Sequence, residues 1–82
     1  MTSKEEDLKY ILGNMGIEIL ESIEKGASNI ETIKLFSGIP VSCIRGRIPV
    51  LLELNLIGQN TKGYFITRKG TNFRKILEKN KI

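Results

Sequence analysis

The stretch NLIGQNTKGYFITRKG, residues 55–70, constrains the fold of this 82-residue chain most strongly, because its pattern predicts a β-hairpin. Residues 56–57 begin one strand, residues 60–63 supply turn residues, and residues 64–66 form the return strand, with Phe65 on the opposite face from its two neighbours. A two-stranded hairpin is only marginally stable alone. We therefore expect it to be anchored on helices, which predicts a mainly α fold with a small β-hairpin, the α+β class.

Apolar residues at helical spacing predict helices on both sides of the hairpin. The N-terminal repeat is interrupted at Gly13 and Gly16, so one long helix and a short helix followed by a second are both possible. Ser28 and Asn29 offer an N-cap for the next helix, and Ser28 with Glu31 has the spacing of a capping box. Thr67 is a candidate N-cap for the last helix. The chain is predicted to be one domain, residues 1–82, with an N-terminal helical region at 4–25, a second helix at 29–36, a third at 40–55, the hairpin at 56–67 and a C-terminal helix at 68–80.

The third predicted helix follows a tight turn through Gly38 and begins at Pro40, a residue suited to the first position of a helix. Its apolar residues Ile44, Ile48, Leu51 and Leu52 fall on one face, which predicts the core side. Arg45 and Arg47 lie on the shoulders of the opposite face and Gly46 lies at its apex. Such arginines suit phosphate groups or guanine edges, and glycine permits close backbone approach. Pro49 cannot donate a backbone hydrogen bond, so we expect a kink there.

The charge of the chain is unevenly distributed. The net charge is +4, but residues 1–31 carry three lysines against seven acidic residues, a net charge of −4, whereas residues 32–82 carry ten basic residues against two acidic ones, a net charge of +8. This asymmetry is typical of a surface that binds a polyanion. A solvated lysine-rich surface is the alternative, and composition alone does not separate the two.

Several function classes have little support in the sequence. The chain contains no histidine, so a histidine-based catalytic triad or zinc site is excluded, and we expect no enzyme activity, no metal, no cofactor and no small-molecule substrate. Cys43 is the single cysteine, which precludes an intramolecular disulfide. No apolar run has the length of a membrane span, and the acidic N-terminus lacks the apolar region of a signal peptide. We expect a cytoplasmic protein that does not bind membranes.

Two segments carry a family resemblance. SGIPVSCIRGRIPVLLELNLI (37–57) resembles the turn and recognition helix of winged helix-turn-helix regulators, and YFITRKG (64–70) is similar to their return strand and following helix start. Residues from about 16 to 78 look like the DNA-binding domains of small prokaryotic regulators of the MarR and PadR type. The length is closer to that of the small winged-helix proteins of archaea and their viruses or plasmids.

The resemblance implies a transcriptional regulator that binds double-stranded DNA as a homodimer, with the third helix in the major groove and the basic hairpin, the wing, on the flanking backbone. The groove-facing residues that it implies are Pro40, Val41, Ser42, Cys43, Arg45, Gly46 and Arg47. Phosphate contacts are expected from Lys62, Arg68 and Lys69. A winged-helix protein-interaction module and a nonspecific architectural DNA binder are the alternatives.

The apolar residues near both termini are more numerous than the core of a minimal winged-helix domain requires. Packed in trans, they would form a two-fold dimer; packed in cis, they would complete the core of the monomer. The dimer is the favoured interpretation. The residues assigned to its interface are Leu8, Ile11, Leu12, Met15, Phe73, Ile76 and Leu77.

Overall fold

The computed structural model describes the backbone of residues 3–79 and the side chains of residues 11–79. It confirms the α+β class: the described chain is mainly helical and carries one antiparallel hairpin. The elements in order are α1 (Ser3–Glu24), α2 (Ile30–Ser37), α3 (Val41–Glu53), β1 (Ile57–Asn60), β2 (Gly63–Ile66) and α4 (Arg68–Lys79).

Helix α1 is two helical segments joined at a break. Gly13 has φ 66° and ψ 178°, values outside the helical region, so the segment before it leaves the axis of the segment after it. A left-handed φ of this kind carries no steric penalty for glycine. Of the two possibilities left open by the sequence, the structure therefore has the broken one.

Asn29 is the N-cap of α2. Its side-chain oxygen accepts hydrogen bonds from the backbone N–H of Thr32 at 2.8 Å and from the hydroxyl of Thr32 at 2.9 Å. The Ser28–Glu31 capping box does not set this start. Ser28 instead precedes the helix, and its carbonyl oxygen accepts a hydrogen bond from the backbone N–H of Tyr64 at 2.8 Å. Pairing with the hairpin holds Ser28 outside the helix, so the cap falls on the next residue.

Helices α2 and α3 meet at 110° across the three residues Gly38-Ile39-Pro40. Gly38 ends α2 in the left-handed conformation, and its N–H donates to the carbonyl oxygen of Lys34. Pro40 is the N-cap of α3 rather than its first helical residue, because its ψ of 147° is extended. The turn thus changes the direction of the chain by 110° within three residues, and Ile39 within it is buried.

Helix α3 runs without interruption through Pro49, which lies on the exposed side. Its C-terminus is closed by Asn55 at φ 61°, a left-handed conformation that asparagine tolerates better than most non-glycine residues. The N–H groups of Asn55 and Leu56 donate to the carbonyl oxygens of Leu52 and Leu51, the paired bonds of a Schellman motif. This motif aims the chain directly into β1.

The hairpin pairs Ile57 with Ile66 and Asn60 with Gly63, leaving Thr61 and Lys62 as the turn. The side chain of Asn60 accepts a hydrogen bond from the N–H of Lys62 at 2.8 Å, which stabilises the turn locally. Gly63 has φ 118°, and a Cβ added there would overlap the carbonyl oxygen of Ser28. Close approach of the hairpin to the segment before α2 therefore requires a glycine at this position.

Helix α4 begins at the predicted cap. The hydroxyl of Thr67 accepts a hydrogen bond from the N–H of Gly70 at 3.0 Å, which confirms the N-cap, and it also lies within hydrogen-bond distance of the carbonyl oxygens of Asn55 and Leu56. The start of α4 is thereby tied to the end of α3. The core between these elements consists of Leu12, Ile19, Leu20, Ile23, Ala27, Ile33, Ile39, Ile44, Ile48, Leu51, Leu56, Ile57 and Phe73.

Candidate nucleic-acid interface

The solvent-facing strip of α3 is narrow and carries little charge. Ser42, Arg45, Gly46, Pro49 and Glu53 are exposed, and helical spacing places them along one line. Nothing lies within 4 Å of a Cβ built on Gly46. The strip therefore has one cation, Arg45, and one anion, Glu53, and its small residues between them allow a ligand to approach the helix backbone closely.

The flanks of this strip are partly buried. Val41, Cys43 and Arg47 are half-buried, and Cys43 packs against the core. Nε of Arg47 is buried and has no hydrogen-bond partner within the described residues. The sequence placed Arg45 and Arg47 on equivalent shoulders, but only Arg45 is exposed. Pro40, at the N-terminus of the strip, is exposed.

Three predicted phosphate-binding residues differ in their surroundings. Lys62 lies exposed in the turn of the hairpin, and Arg68 lies exposed at the first position of α4. Nζ of Lys69 donates a hydrogen bond to the carbonyl oxygen of Leu54 at 2.8 Å. A lysine at the C-terminus of a helix interacts favourably with the unsatisfied carbonyl groups there. Lys69 thus has a structural contact with the end of α3, in addition to any it makes with a ligand.

Sequence reasoning did not single out Arg74. Its guanidinium lies 3.1 Å from Glu24, 3.4 Å from Glu21 and 3.9 Å from Glu78, and its side chain is only 11% exposed. The pairs with Glu21 and Glu24 join α4 to α1, and the pair with Glu78 lies within α4. Glu78 is four residues from Arg74, a spacing that permits an ion pair along one helix. The pairing with α1 has no such sequence signal, because Arg74 lies 50 residues from Glu24.

The apolar residues assigned to a dimer interface differ in burial, and those with described side chains form three pairs. Leu12 and Phe73 are buried in the core of the chain, at 0% and 3% exposure, so they have no surface to offer a partner. Ile76 and Leu77 are half-buried, and Leu77 packs against the same core. Ile11 and Met15 are exposed, at 57% and 40%, and lie on opposite sides of the break in α1 at Gly13. The side chain of Leu8 lies outside the described residues.

The described residues contain no group of three or more histidine, cysteine, aspartate or glutamate side chains placed to hold a metal ion. Within residues 3–79, no single helix has both the length and the apolar character needed to cross a membrane. Comparison with protein-family models and with curated proteins finds no match for the chain. The functional assignment therefore depends on geometry and charge.

Proposed function

We propose that the chain is an intracellular DNA-binding regulator of the winged helix-turn-helix class. The observation that carries the proposal is the arrangement of α2, a three-residue turn and α3 at 110°, followed directly by a hairpin whose tip is basic. Helix-turn-helix motifs join two helices at about 90–120° through a short turn that often contains glycine. In this role α3 is the recognition helix and the hairpin is the wing.

The strip on α3 suits the floor of a major groove. Arg45 can donate two hydrogen bonds to the O6 and N7 atoms of guanine or bind a phosphate group. Ser42 donates and accepts single hydrogen bonds, and Gly46 leaves room for the base edges. Glu53 lies at the opposite end of the strip, so the N-terminal half of α3 is the part that enters the groove.

The hairpin supplies the sequence-independent part of the interaction. Lys62 projects from its turn and Arg68 follows its return strand, and both are exposed. Phosphate groups attract such cations irrespective of base sequence. The wing therefore fixes the register of the protein on the duplex, whereas Arg45 reads the sequence.

A homodimer on a two-fold DNA site is part of the proposal. Among the residues assigned to this interface whose side chains the structure describes, Ile11 and Met15 on α1 are the exposed pair. Two copies related by a two-fold axis would bury these side chains against each other. Sedimentation of the wild type and of the Ile11→Ser/Met15→Ser variant tests this part separately.

Binding of a selected DNA site and of a random duplex tests the division of roles. Arg45→Ala is expected to weaken the selected site by roughly 5- to 150-fold more than random DNA, because a bidentate base contact is worth about 1–3 kcal/mol. Lys62→Ala is expected to weaken both duplexes alike. Lys79→Ala is the matched control, since this exposed lysine lies three turns along α4 from Arg68. Equal losses for Arg45→Ala on both duplexes would exclude base readout by α3.

One observation favours a second candidate, a protein-interaction module. Leu35 and Phe36, adjacent on α2, are 81% and 52% exposed. Exposed apolar side chains of this size mark many protein-binding surfaces, and a winged-helix fold does not by itself specify DNA binding. Absence of duplex binding at low salt, together with capture of a protein partner that is lost in Leu35→Ser/Phe36→Ser, would favour this function.

A further inference from the structure

The outer face of the hairpin has an unusual composition. Ile57 is buried and Tyr64 and Ile66 pack against the core, so the face that they share is the inner one. On the outer face Phe65 stands directly opposite Gly58. Phe65 is 42% exposed, and the side chain of its neighbour Asn60 folds back to the N–H of Lys62.

The ring of Phe65 lies across Gly58. A Cβ built on Gly58 would fall 2.8 and 3.1 Å from the two Cε atoms of the ring and closer still to Cζ. If Gly58 lay in the plane of the ring, beyond its edge at Cζ, this Cβ would be much farther from at least one Cε atom than from Cζ. The similar distances to all three atoms instead place Gly58 beneath one face of the ring. The opposite face of the ring is directed away from the hairpin.

We infer that the outward face of Phe65 is a stacking platform for one unpaired nucleobase of DNA. The inference rests on the proposed DNA-binding function and extends it to a preference for single-stranded or locally opened DNA. Every nucleobase has a π-face that stacks on aromatic rings, and proteins that bind single strands combine such rings with a basic groove. Here the cation of Lys62 lies in the adjoining turn.

The geometry distinguishes this role from insertion between base pairs. Apolar side chains that kink duplex DNA act as wedges that project from the protein into a base step. The ring of Phe65 instead lies along its own hairpin and presents a face, which can stack on a base that has already left the helix. The wing is therefore expected to distinguish a duplex from the same duplex with an unpaired base.

The test measures fluorescence anisotropy with three probes: a 15-base-pair duplex, the same duplex with a single bulged adenine, and a 15-nucleotide single strand. Phe65→Leu keeps an apolar side chain over Gly58 but has no π-face, and Phe65→Tyr keeps the ring. We expect Phe65→Leu to lose about 5- to 100-fold affinity for the bulged and single-stranded probes. Its affinity for the intact duplex should change less than twofold, and Phe65→Tyr should bind all three probes like the wild type.

The outcomes separate this inference from the proposed function. If the wild type binds none of the three probes, the proposed function fails and the inference fails with it. If the wild type binds the intact duplex but Phe65→Leu leaves all three affinities unchanged, only the stacking platform is wrong. An equal loss on all three probes, with Phe65→Tyr also impaired, would overturn the inference in favour of a role for Phe65 in hairpin stability alone. Thermal unfolding of each variant identifies that case.

Discussion

Gly70 in α4 offers the sharpest test of the packing. It is buried against the segment that joins α3 to β1, and a Cβ added there would overlap the carbonyl oxygen of Leu56 and approach Cγ1 of Ile66 to 2.8 Å. Neither neighbour is the free end of a flexible chain. Gly70→Ala must therefore move α4 away from the hairpin.

The cost of Gly70→Ala has three parts. Overpacking of this kind costs roughly 1–3 kcal/mol. Movement of α4 also breaks the bonds that the backbone N–H and the hydroxyl of Thr67 make to Leu56, at 3.1 and 3.0 Å, worth about 1 kcal/mol each. The higher helix propensity of alanine relative to glycine offsets about 1 kcal/mol of this loss. The free energy of unfolding should fall by about 2–4 kcal/mol, a large share of the roughly 4–12 kcal/mol typical of a domain of this size.

Urea denaturation followed by circular dichroism measures this loss. Gly46→Ala is the matched control, because Gly46 is also helical but has open space around its Cα. It should raise the free energy of unfolding by about 1 kcal/mol. If Gly70→Ala were as stable as the wild type to within about 0.5 kcal/mol, the surface-substitution range, the close approach of α4 to Leu56 would be refuted.

The remaining predictions concern side-chain contacts. Thr67→Val removes the cap of α4 and the contacts to the end of α3, and should lower the free energy of unfolding by about 1–2 kcal/mol; no loss in urea denaturation would contradict the cap. Asn29→Ala should cost about 1 kcal/mol, whereas Ser28→Ala should change stability by less than about 0.5 kcal/mol, because Ser28 acts through its backbone carbonyl; equal losses would contradict the cap assignment. Arg74→Met keeps the buried stem but removes the cation between α1 and α4, and should cost about 1–2 kcal/mol at low salt and less at high salt. A loss independent of salt would show that packing, and not ion pairing, is what Arg74 contributes.

Elements defined by local chemistry could be predicted from the sequence. The cap at Thr67, the tight turn through Gly38 and the turn of the hairpin depend on residues within a few positions of one another, and the structure has them where they were expected. Strong local preferences of this kind act before tertiary packing is known. The class of the fold followed from them.

Features that depend on distant contacts could not be predicted in this way. The ammonium of Lys69 binds the end of α3 across 15 residues, and Arg74 pairs with Glu24 across 50. Periodicity identified Leu12 and Phe73 as apolar positions, but it could not determine whether they face a partner or the core of the same chain. Ser28 lost the capping role because the hairpin, 36 residues later, pairs with its carbonyl group.

The candidate site shows the same division. Helical spacing correctly separated the core side of α3, with Ile44, Ile48 and Leu51, from the side that carries Gly46. It did not separate Arg45 from Arg47, since the exposure of a long side chain on a shoulder depends on what packs beside it. The structure supplies that distinction. Among the predicted DNA-binding residues, the exposed cations whose side chains form no hydrogen bond or ion pair within residues 11–79 are Arg45, Lys62 and Arg68.

Binding of a random-sequence duplex across a salt series tests the central claim most directly. On random DNA, where no guanine is placed for Arg45, this arginine binds a phosphate group, as Lys62 and Arg68 do. Three neutralised phosphates predict that the logarithm of affinity falls linearly with the logarithm of salt concentration, with a slope of about −2 to −3 per protomer. Fluorescence anisotropy between 25 and 300 mM salt, an order-of-magnitude range around physiological ionic strength of about 150 mM, resolves such a slope. Binding with that slope is the result expected of a DNA-binding wing and recognition helix. No binding at the lowest salt concentration, or binding that does not respond to salt, would contradict the proposed function.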